Sequence, residues 1–415
     1  MTERIPDERE SADPHGGPVD PGRRVEALDA VRGLAILGIL LVNIQFFYGP
    51  EVFRGDSGGV MSALIGIFGT QKFITLFAMM FGLGLALQTM RADRRGQPSG
   101  SMLVRRLVVL AGIGALHAVL IWSGDILFYY ALLGFVVLAF RRRPPRTCVV
   151  WSLSLLAAGA LILLSGAGLL AVTEQAAGDE VDQVTAAEMA GLHELADRAE
   201  AAYTTGTYAE QVQVRLAELS IMVTGYIFMT PTLLGMALLG VALARSGFVE
   251  TIAERGPALR RMTRWGLAVG LPLNVVGGVL ESGDPLGMTA SGLAGLGVLM
   301  IGGPVLGLAY ASIVTRVAIA RPTASAVRRL ASVGRMAVSN YLLQSLLATA
   351  VFYGLGLYGT LSLEVAMLLV VAIWTINLLW SLPWLKRFRY GPVEWLWRAG
   401  TYGRLPAMRE PSRAR

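Results

Sequence analysis

A histidine and an aspartate eight residues apart carry the chemistry that this sequence most readily suggests. His117 is the only histidine in a predicted membrane span, and a tight turn at Ser123 and Gly124 is expected to bring Asp125 back over the end of the preceding helix. An imidazole titrates near neutrality and a carboxylate can fix its tautomer, so the pair has the elements of a general base. A structural hydrogen bond is the alternative role for a lone histidine on an apolar helix, and the sequence leaves both open.

A second set of polar residues lies on the first apolar segment. Asp29 and Arg32 are three residues apart, so they share one helix face near the inner membrane surface, and Asn43 lies about three turns further on roughly the same face. An interfacial ion pair explains Asp29 and Arg32 without a substrate. In the functional interpretation, Arg32 binds a phosphate or carboxylate that arrives from the cytoplasm.

Lys72 is one of two lysines in the chain and begins the second predicted span at its outer end, against the trend of the other basic residues. It could snorkel to the interface, pair with Asp125 or bind an anionic substrate group outside the membrane. Asn274 and Glu281, seven residues apart on a later span, share a helix face. Together these residues indicate a polar outer vestibule.

The ninth predicted span begins with a cluster of polar residues. Asn340 and Gln344 are one helical turn apart with Tyr341 beside them, so the two amides suit either hydrogen bonding between helices or a ligand. Arg335 precedes them at the inner end of the span, where it would add a second cation to Arg32. All four are candidates for substrate binding.

The composition places these residues in a membrane. Hydrophobic residues make up 54% of the 415 residues, charged residues make up 16%, and the mean hydropathy is +0.56, which leaves too little polar surface for a soluble globule of this length. We therefore predict an all-α, polytopic transmembrane helix bundle of about ten spans, with 60–70 open as a re-entrant piece. Apolar runs of about 20 residues, long enough to cross the hydrocarbon, occur near 28–48, 72–90, 104–122, 125–140, 148–172, 219–243, 264–281, 291–314, 331–353 and 363–385.

The arginines give the predicted orientation. With the N- and C-termini in the cytoplasm, nearly every basic connection lies inside, as the positive-inside rule requires, and the outer connections carry chiefly Arg54, Arg198 and Arg215. The formal net charge of +7 then reflects topology and contact with anionic membrane lipids. A nucleic-acid partner is not expected.

One long acidic connection divides the chain. We predict a disordered cytoplasmic tail over 1–23, an N-terminal five-helix transmembrane half over 24–172, an acidic extracytoplasmic helical loop over 173–218, a C-terminal five-helix half over 219–402 and a basic cytoplasmic tail over 403–415. The acidic loop is either a solvated spacer or a lid over an outward-facing substrate site.

The residue inventory excludes several kinds of chemistry. The single cysteine, Cys148, cannot form an internal disulfide, and three histidines with one cysteine do not supply a metal site. The sequence has no glycine-rich phosphate loop, so nucleotide-driven pumping is not expected. We predict no metal and no tightly bound cofactor.

Five motifs, taken in order, resemble the YeiB-like family of bacterial inner-membrane proteins, whose C-terminal half is the domain of unknown function DUF418. The resemblance covers the chain from Arg24 to about Tyr402 and implies a multi-pass protein of the bacterial cytoplasmic membrane. The motifs are Leu28–Ala35, Lys72–Phe77, His117–Leu127, Gly334–Ser345 and Gly391–Arg398.

The Leu-Asp-x-x-Arg-Gly start of the first span also resembles, more distantly, the transmembrane acyltransferases. This group includes the heparan glucosamine N-acetyltransferase type and the enzymes that modify bacterial surface polysaccharides; they are understood to carry an acyl group from a cytoplasmic acyl thioester to an acceptor on the far side. The polysaccharide-modifying members have a histidine eleven residues after the arginine, where this chain has Asn43, as the heparan type does. The resemblance therefore leaves His117 to supply the base.

The leading hypothesis is a transmembrane acyltransferase. Arg32, helped by Arg335, would bind the phosphates of a cytoplasmic acyl-CoA, and His117 oriented by Asp125 would deprotonate an acceptor hydroxyl or amine on the extracytoplasmic side. The amides on the first and ninth spans would stabilise the oxyanion.

Two alternatives use the same residues differently. A transporter or flippase for a small amphiphile or ion would use them as a binding site at mid-depth, without turnover of a thioester. A membrane scaffold or sensor would bind a partner through the acidic loop 173–218. A homo-oligomer is open in each case.

Overall fold

The computed structural model describes residues 26–55, 58–176 and 179–409 of the chain. The predicted tail 1–23 and the end of the predicted tail 403–415 lie outside these ranges. Within them the regular structure is helical throughout, with no strand.

Sixteen α-helices occur in the described part of the chain, joined by short turns. Two π-helical turns, Gly266–Gly270 and Ala350–Gly354, and a 3-10 turn, Ile252–Glu254, complete the regular structure described. The α-helices are α1 (Glu26–Phe47), α2 (Glu51–Arg54), α3 (Val60–Phe68), α4 (Lys72–Arg94), α5 (Gly100–Leu120), α6 (Leu127–Phe140), α7 (Pro145–Ala176), α8 (Asp179–Thr204), α9 (Tyr208–Arg245), α10 (Gly256–Trp265), α11 (Leu271–Glu281), α12 (Ala290–Ala320), α13 (Ser325–Arg335), α14 (Ala337–Thr349), α15 (Leu363–Arg387) and α16 (Pro392–Tyr402).

The predicted all-helical, polytopic bundle is confirmed. Among the described residues, seven helical segments are long and apolar enough to cross a membrane, and an eighth is added if the bent pair α13 and α14 counts as one span. These segments coincide with seven of the ten predicted apolar runs. One segment consists of α3 and α4, which a short break separates.

The three remaining runs are helical but are not straight spans. The run 125–140 contains α6, which has only 14 residues, and a π turn interrupts the run 264–281 between α10 and α11. In the run 331–353, α13 and the helix after it meet at 87°. Since α13 is basic and amphipathic while α14 is apolar, a straight continuation would carry arginines into the hydrocarbon.

Helix α1 lies at the centre of the bundle. It contacts α4, α12, α13, α14 and α15, so the polar residues of its sequence face other helices. Backbones approach closely elsewhere through glycine: a Cβ on Gly82 of α4 would overlap the Ala237 carbonyl of α9, and a Cβ on Gly240 of α9 would overlap the Met79 carbonyl of α4. Small residues at such contacts are typical of helices packed within a membrane.

The segment predicted as an acidic helical loop contains α8, which packs on the bundle. Arg54 of α2 donates hydrogen bonds to Asp197 at 2.6 Å and to Glu200 at 2.7 Å on α8. At the end of α8, the ring of Tyr203 stacks on Tyr353 with 3.9 Å between centroids. Both contacts hold α8 against the end of the bundle that also carries the turn 121–126.

Candidate functional site

His117 and Asp125 form a buried pair. The His117 Nδ1 lies 2.7 Å from Asp125 Oδ2, and the two residues are 2% and 4% exposed. The other carboxylate oxygen, Oδ1, accepts a hydrogen bond of 2.8 Å from the backbone N–H of Phe128. The predicted proximity of the imidazole and the carboxylate is therefore present, and the Phe128 N–H fixes the carboxylate from its other side.

The turn that carries Asp125 closes onto α5 because a glycine faces it. A Cβ on Gly114 would overlap the backbone nitrogen of Phe128 and lie within 2.7 Å of Asp125 Oδ1. Gly114 and His117 are three residues apart, so they lie on the same face of α5. Without a side chain at position 114, the start of α6 can lie directly against the helix that bears the imidazole.

The second ring nitrogen of His117 has no hydrogen-bond partner among the described residues. When Nδ1 donates to the Asp125 carboxylate, Nε2 keeps its lone pair. His117 Nε2 is buried and makes no hydrogen bond within the part of the chain that the structure describes. The ring of Tyr341 lies 5.3 Å from the imidazole between centroids, and its hydroxyl is 3.4 Å from the Ile126 nitrogen.

A cavity of about 230 Å³ lies on the arginine-rich face of the bundle, which we define by the helix ends that carry Arg32, Arg106, Arg335 and Arg398. These four guanidinium groups all line it. The two acidic residues in its wall are Asp29 and Glu394. Its apolar wall is formed by Phe77, Met80, Phe81, Leu85, Leu110, Leu127, Tyr130, Ala337, Val338 and Trp397.

Paired glycines bring Arg32 and Arg335 together. Gly33 follows Arg32 on α1, and a Cβ there would overlap the Leu330 carbonyl of α13; Gly334 precedes Arg335, and a Cβ there would overlap the Asp29 carbonyl of α1. The two backbones therefore touch beside both arginines. This explains in physical terms why each arginine adjoins a glycine in the sequence.

Arg106 and Arg398 reach the cavity from α5 and α16. The Arg106 guanidinium lies 3.6 Å from the ring centroid of Trp397, and the Trp397 indole N–H donates to the Arg106 carbonyl at 2.7 Å. Neither arginine was predicted from the sequence as a site residue. The basic and tryptophan-rich end of the chain was the available signal, but its partner helix lies almost 300 residues earlier.

The two carboxylates of the cavity wall have different partners. Asp29 accepts a hydrogen bond of 2.9 Å from Arg32, which is the ion pair expected from their spacing. Glu394 accepts backbone N–H groups of Val338 at 2.7 Å and Ser339 at 3.0 Å, so it caps the start of α14. Burial raises the pKa of Glu394, and its hydrogen bonds to Ser339 and Val338 oppose that rise.

The apolar end of the cavity points towards the His117–Asp125 pair. Leu110 lines it, and His117 is seven residues further along the same helix face, about 10 Å along the axis. Leu127, two residues after Asp125, lines it as well. A chain-like ligand with its charges at the arginines would extend along this wall towards the imidazole.

Lys72 and Asn43 make no hydrogen bond to the His117–Asp125 pair among the described residues. Lys72 is fully buried, and its ammonium donates to the Gly66 carbonyl at the break between α3 and α4, while Glu281 interacts with it electrostatically. Asn43 is half-buried and makes no side-chain hydrogen bond among the described residues. Substrate binding by either residue stays a prediction.

Asn340 and Gln344 make hydrogen bonds between helices. The Asn340 amide donates to the Val333 carbonyl at 3.1 Å and to Ser381 of α15 at 3.0 Å, and its oxygen accepts the Trp380 indole N–H at 2.8 Å. The Gln344 amide lies 3.4 Å from the Ile36 carbonyl of α1. A role for either amide at an oxyanion stays a prediction, while Tyr341 between them lies beside the imidazole.

The side of the pair opposite the cavity is covered. Ser123 donates to Glu218 at 2.6 Å, and Tyr203 of α8 donates to the same oxygen at 3.0 Å. The Trp122 ring stacks on Phe47 at 4.1 Å. The turn 121–126 is thus tied to α9 and, through Tyr203, to the helix that packs over it.

The structure is thus a helical membrane bundle with a buried imidazole–carboxylate pair and an arginine-lined cavity. Two family models match the chain: "Heparan-alpha-glucosaminide N-acetyltransferase, catalytic" over residues 24–264 and "Protein of unknown function (DUF418)" over residues 243–404. The chain is similar to the uncharacterized protein YxaH of Bacillus subtilis, with 31% identity over 93% of this chain and 96% of YxaH.

It is also similar to the uncharacterized protein YeiB of Escherichia coli, with 32% identity over 93% of this chain and 98% of YeiB. A 39.9 kDa protein of Bacillus acidopullulyticus is 26% identical over 93% of this chain and 96% of its own length. No solved structure matches the chain. The chain belongs to the YeiB-like family of membrane proteins, which carries an acyltransferase-like catalytic region followed by a DUF418 region.

Proposed function

We propose that the protein is a transmembrane acyltransferase that takes an acyl group from an acyl-CoA at its cytoplasmic, arginine-rich face. The acceptor is an extracytoplasmic hydroxyl or amine, which His117 deprotonates while Asp125 orients the imidazole. The protein resides in the bacterial cytoplasmic membrane. The single observation that carries this proposal is the buried pair with an unpartnered Nε2, beside a cavity lined by four arginines.

The arginine cavity suits the phosphates of the donor. Guanidinium groups bind phosphate oxygens through paired, charge-assisted hydrogen bonds, and the cavity brings Arg32, Arg106, Arg335 and Arg398 to one place. From Arg106 to His117 is eleven residues of one helix, about 16 Å along its axis. An extended phosphopantetheine arm can span that distance along the apolar wall, so the thioester would reach the imidazole.

The transfer itself needs one base and one route for the proton. His117 Nε2 takes the proton of the acceptor hydroxyl or amine as the acceptor attacks the thioester carbonyl carbon. When the tetrahedral intermediate collapses, the C–S bond breaks and the imidazolium returns the proton to the departing thiolate. Asp125 stabilises the imidazolium and keeps Nδ1 protonated throughout. The products are the acylated acceptor and coenzyme A.

The test is release of coenzyme A from labelled acetyl-CoA by purified protein in liposomes supplied with a cell-envelope extract as acceptor source. We expect His117→Ala to abolish both coenzyme A release and label transfer. His193→Ala is the matched control, because His193 lies on α8 and only approaches the Arg54 carbonyl at 3.3 Å. The control variant should retain wild-type transfer.

Two results would refute the proposal. One is equal label transfer by the wild type and His117→Ala. The other is absence of acetyl-CoA binding to a wild-type protein that elutes as a folded species. A transport function would instead show substrate movement across the liposome membrane with the thioester intact.

A further inference from the structure

A cleft of about 480 Å³ lies on the arginine-rich face outside the site described above. It is lined by Pro257, Arg260, Arg261, Arg264, Trp265 and Ala268, where α10 passes into the π turn. None of these residues belongs to the cavity of the His117–Asp125 site. We propose that this cleft is a binding site for the headgroup of an anionic phospholipid, an inference that goes beyond the proposed acyl transfer.

The three arginines have no anionic partner within the part of the chain that the structure describes. Among the described residues, Arg260, Arg261 and Arg264 make no salt bridge and no side-chain hydrogen bond. Neighbouring Arg255, by contrast, donates to Thr251 and lies over the Phe248 ring. Arg260 and Arg264 are one helical turn apart, a spacing at which like charges repel. A bound anion would relieve that repulsion and accept hydrogen bonds from more than one guanidinium group.

The cleft opens towards lipid because the other side of its helix is packed. Gly266 and Gly270 face α12 so closely that a Cβ on either would overlap α12 atoms of Ala309, Val305 or Leu306. Ala268 therefore lies on the exposed side of the helix.

The lipid-facing wall of the cleft is apolar and begins with an indole. Trp265 is 64% exposed, and Leu267 and Val269 beside the cleft are 39% and 44% exposed. An exposed tryptophan next to arginines is typical of the membrane–water interface, where its ring meets headgroups and the first acyl carbons. Charge at one end and lipid-exposed apolar surface at the other fit a phospholipid, and they do not fit a soluble nucleotide.

The experiment uses the full chain reconstituted in zwitterionic nanodiscs that contain a small fraction of brominated lipid, which quenches nearby tryptophan. The chain has 8 tryptophans, so the signal of Trp265 is the difference between the wild type and Trp265→Phe. We expect brominated phosphatidylglycerol to quench this signal at a concentration at least about tenfold lower than brominated phosphatidylcholine. We expect this difference because each basic residue near an anionic headgroup raises the affinity about fivefold.

The triple variant Arg260→Gln, Arg261→Gln, Arg264→Gln should remove that preference. Its matched control changes Arg94, Arg95 and Arg143 to Gln: these three exposed arginines remove the same charge but lie outside the cleft. The control should keep the full preference. All six side chains are exposed, so neither triple variant is expected to disturb folding.

Three outcomes would overturn the inference. Equal quenching by the two lipids in the wild type would show no anionic site. Equal loss in the two triple variants would show diffuse attraction to the whole face. Relief of the quenching by soluble acetyl-CoA would assign the cleft to the donor nucleotide. The first two outcomes do not bear on acyl transfer, so they would overturn this inference alone. The third would also move the donor from the arginine cavity to the cleft, and the loss of label transfer in His117→Ala tests the proposed function separately.

Discussion

At the scale of single residues, the proposed acyl transfer depends on the tautomer of one imidazole. His117 lies between the Asp125 carboxylate, at 2.7 Å from its Nδ1, and the ring of Tyr341. The carboxylate is itself fixed by the Phe128 N–H at 2.8 Å. Removing the negative charge while keeping the shape therefore tests whether the pair acts as a base or only holds two elements together.

Asp125→Asn should lower kcat by roughly 10³- to 10⁴-fold, because an amide can donate to Nδ1 and thereby favour the tautomer that has no lone pair on Nε2. The asparagine oxygen can still accept the Phe128 N–H, so the fold should be retained. Steady-state release of coenzyme A measures the effect, with donor affinity measured in parallel. A kcat within tenfold of the wild type would show that the pair is structural.

The pKa of Glu394 predicts how the stability of the fold changes with pH. Burial raises the pKa of Glu394 above its ordinary value of 4.5, so the folded chain binds this proton more tightly than the unfolded chain does. The stabilising contribution is complete below pH 4.5 and is lost as the pH rises through the folded pKa. The Tm of the wild type minus that of Glu394→Gln should therefore fall as the pH rises from 4.5. A constant or rising difference would contradict this account.

Some of the residues of the candidate site could be predicted from the sequence, and others could not. His117 and Asp125 could be predicted as a pair because eight residues and a Ser-Gly turn separate them. Arg106 and Arg398 could not be assigned to one site, since their meeting depends on how α5 packs against α16. For Lys72 the sequence left open an interfacial position, a pair with Asp125 and an anionic substrate group. In the structure Lys72 is fully buried and donates to the backbone of the break before α4.

At the scale of elements, glycines set the approach of the helices that carry the site. Gly33 and Gly334 bring α1 and α13 into backbone contact beside Arg32 and Arg335, and Gly114 allows the start of α6 to lie on α5. In each case the small residue lies beside or near a functional one in the sequence. The helices themselves could be predicted from hydropathy, but these close contacts follow from pairs of positions distant in the chain.

Gly114→Ala should reduce coenzyme A release strongly and lower the Tm, because its Cβ would overlap the Phe128 nitrogen and displace Asp125 from His117. Gly112→Ala on the same helix is the matched control, since a Cβ there meets no atom within 4 Å. Replacing a helical glycine by alanine without a clash should stabilise by about 0.5–1 kcal/mol. Equal effects of the two variants on coenzyme A release and on the Tm would show that Gly114 does not position Asp125.

Element boundaries were the part of the fold that hydropathy described least well. The runs 264–281 and 331–353 were expected as spans, yet a π turn interrupts the first and an 87° bend divides the second. The bend occurs where Glu394 caps the start of α14, and that acceptor comes from α16. A local pattern of apolar residues contains no information about such a distant acceptor.

At the scale of the whole molecule, the two ends of the bundle differ in chemistry. One end carries the four arginines of the donor cavity and the cleft of α10, and the other carries the turn 121–126 covered by α8. Acyl transfer across a membrane requires such a difference, because donor and acceptor arrive from opposite sides. From the positive-inside rule we expect the arginine-rich end to lie in the cytoplasm.

Orientation can be tested with single cysteines. Arg143→Cys lies at the arginine-rich end and Glu194→Cys lies on α8, both at exposed positions, while the native Cys148 is buried. In intact cells a membrane-impermeant maleimide should label only Glu194→Cys, and permeabilised cells should label both. Labelling of Arg143→Cys in intact cells would reverse the orientation and place the donor cavity outside.

The most direct test of the central claim is the position of a bound donor. A non-hydrolysable acetyl-CoA thioether analogue, added to the wild-type protein for electron cryo-microscopy, should show its phosphates against Arg32, Arg106, Arg335 and Arg398. Its carbonyl carbon should lie beside the His117 Nε2, with room between them for the acceptor hydroxyl or amine. Density for the analogue at the α10 cleft, or an arginine cavity that stays empty at saturating analogue, would contradict the account.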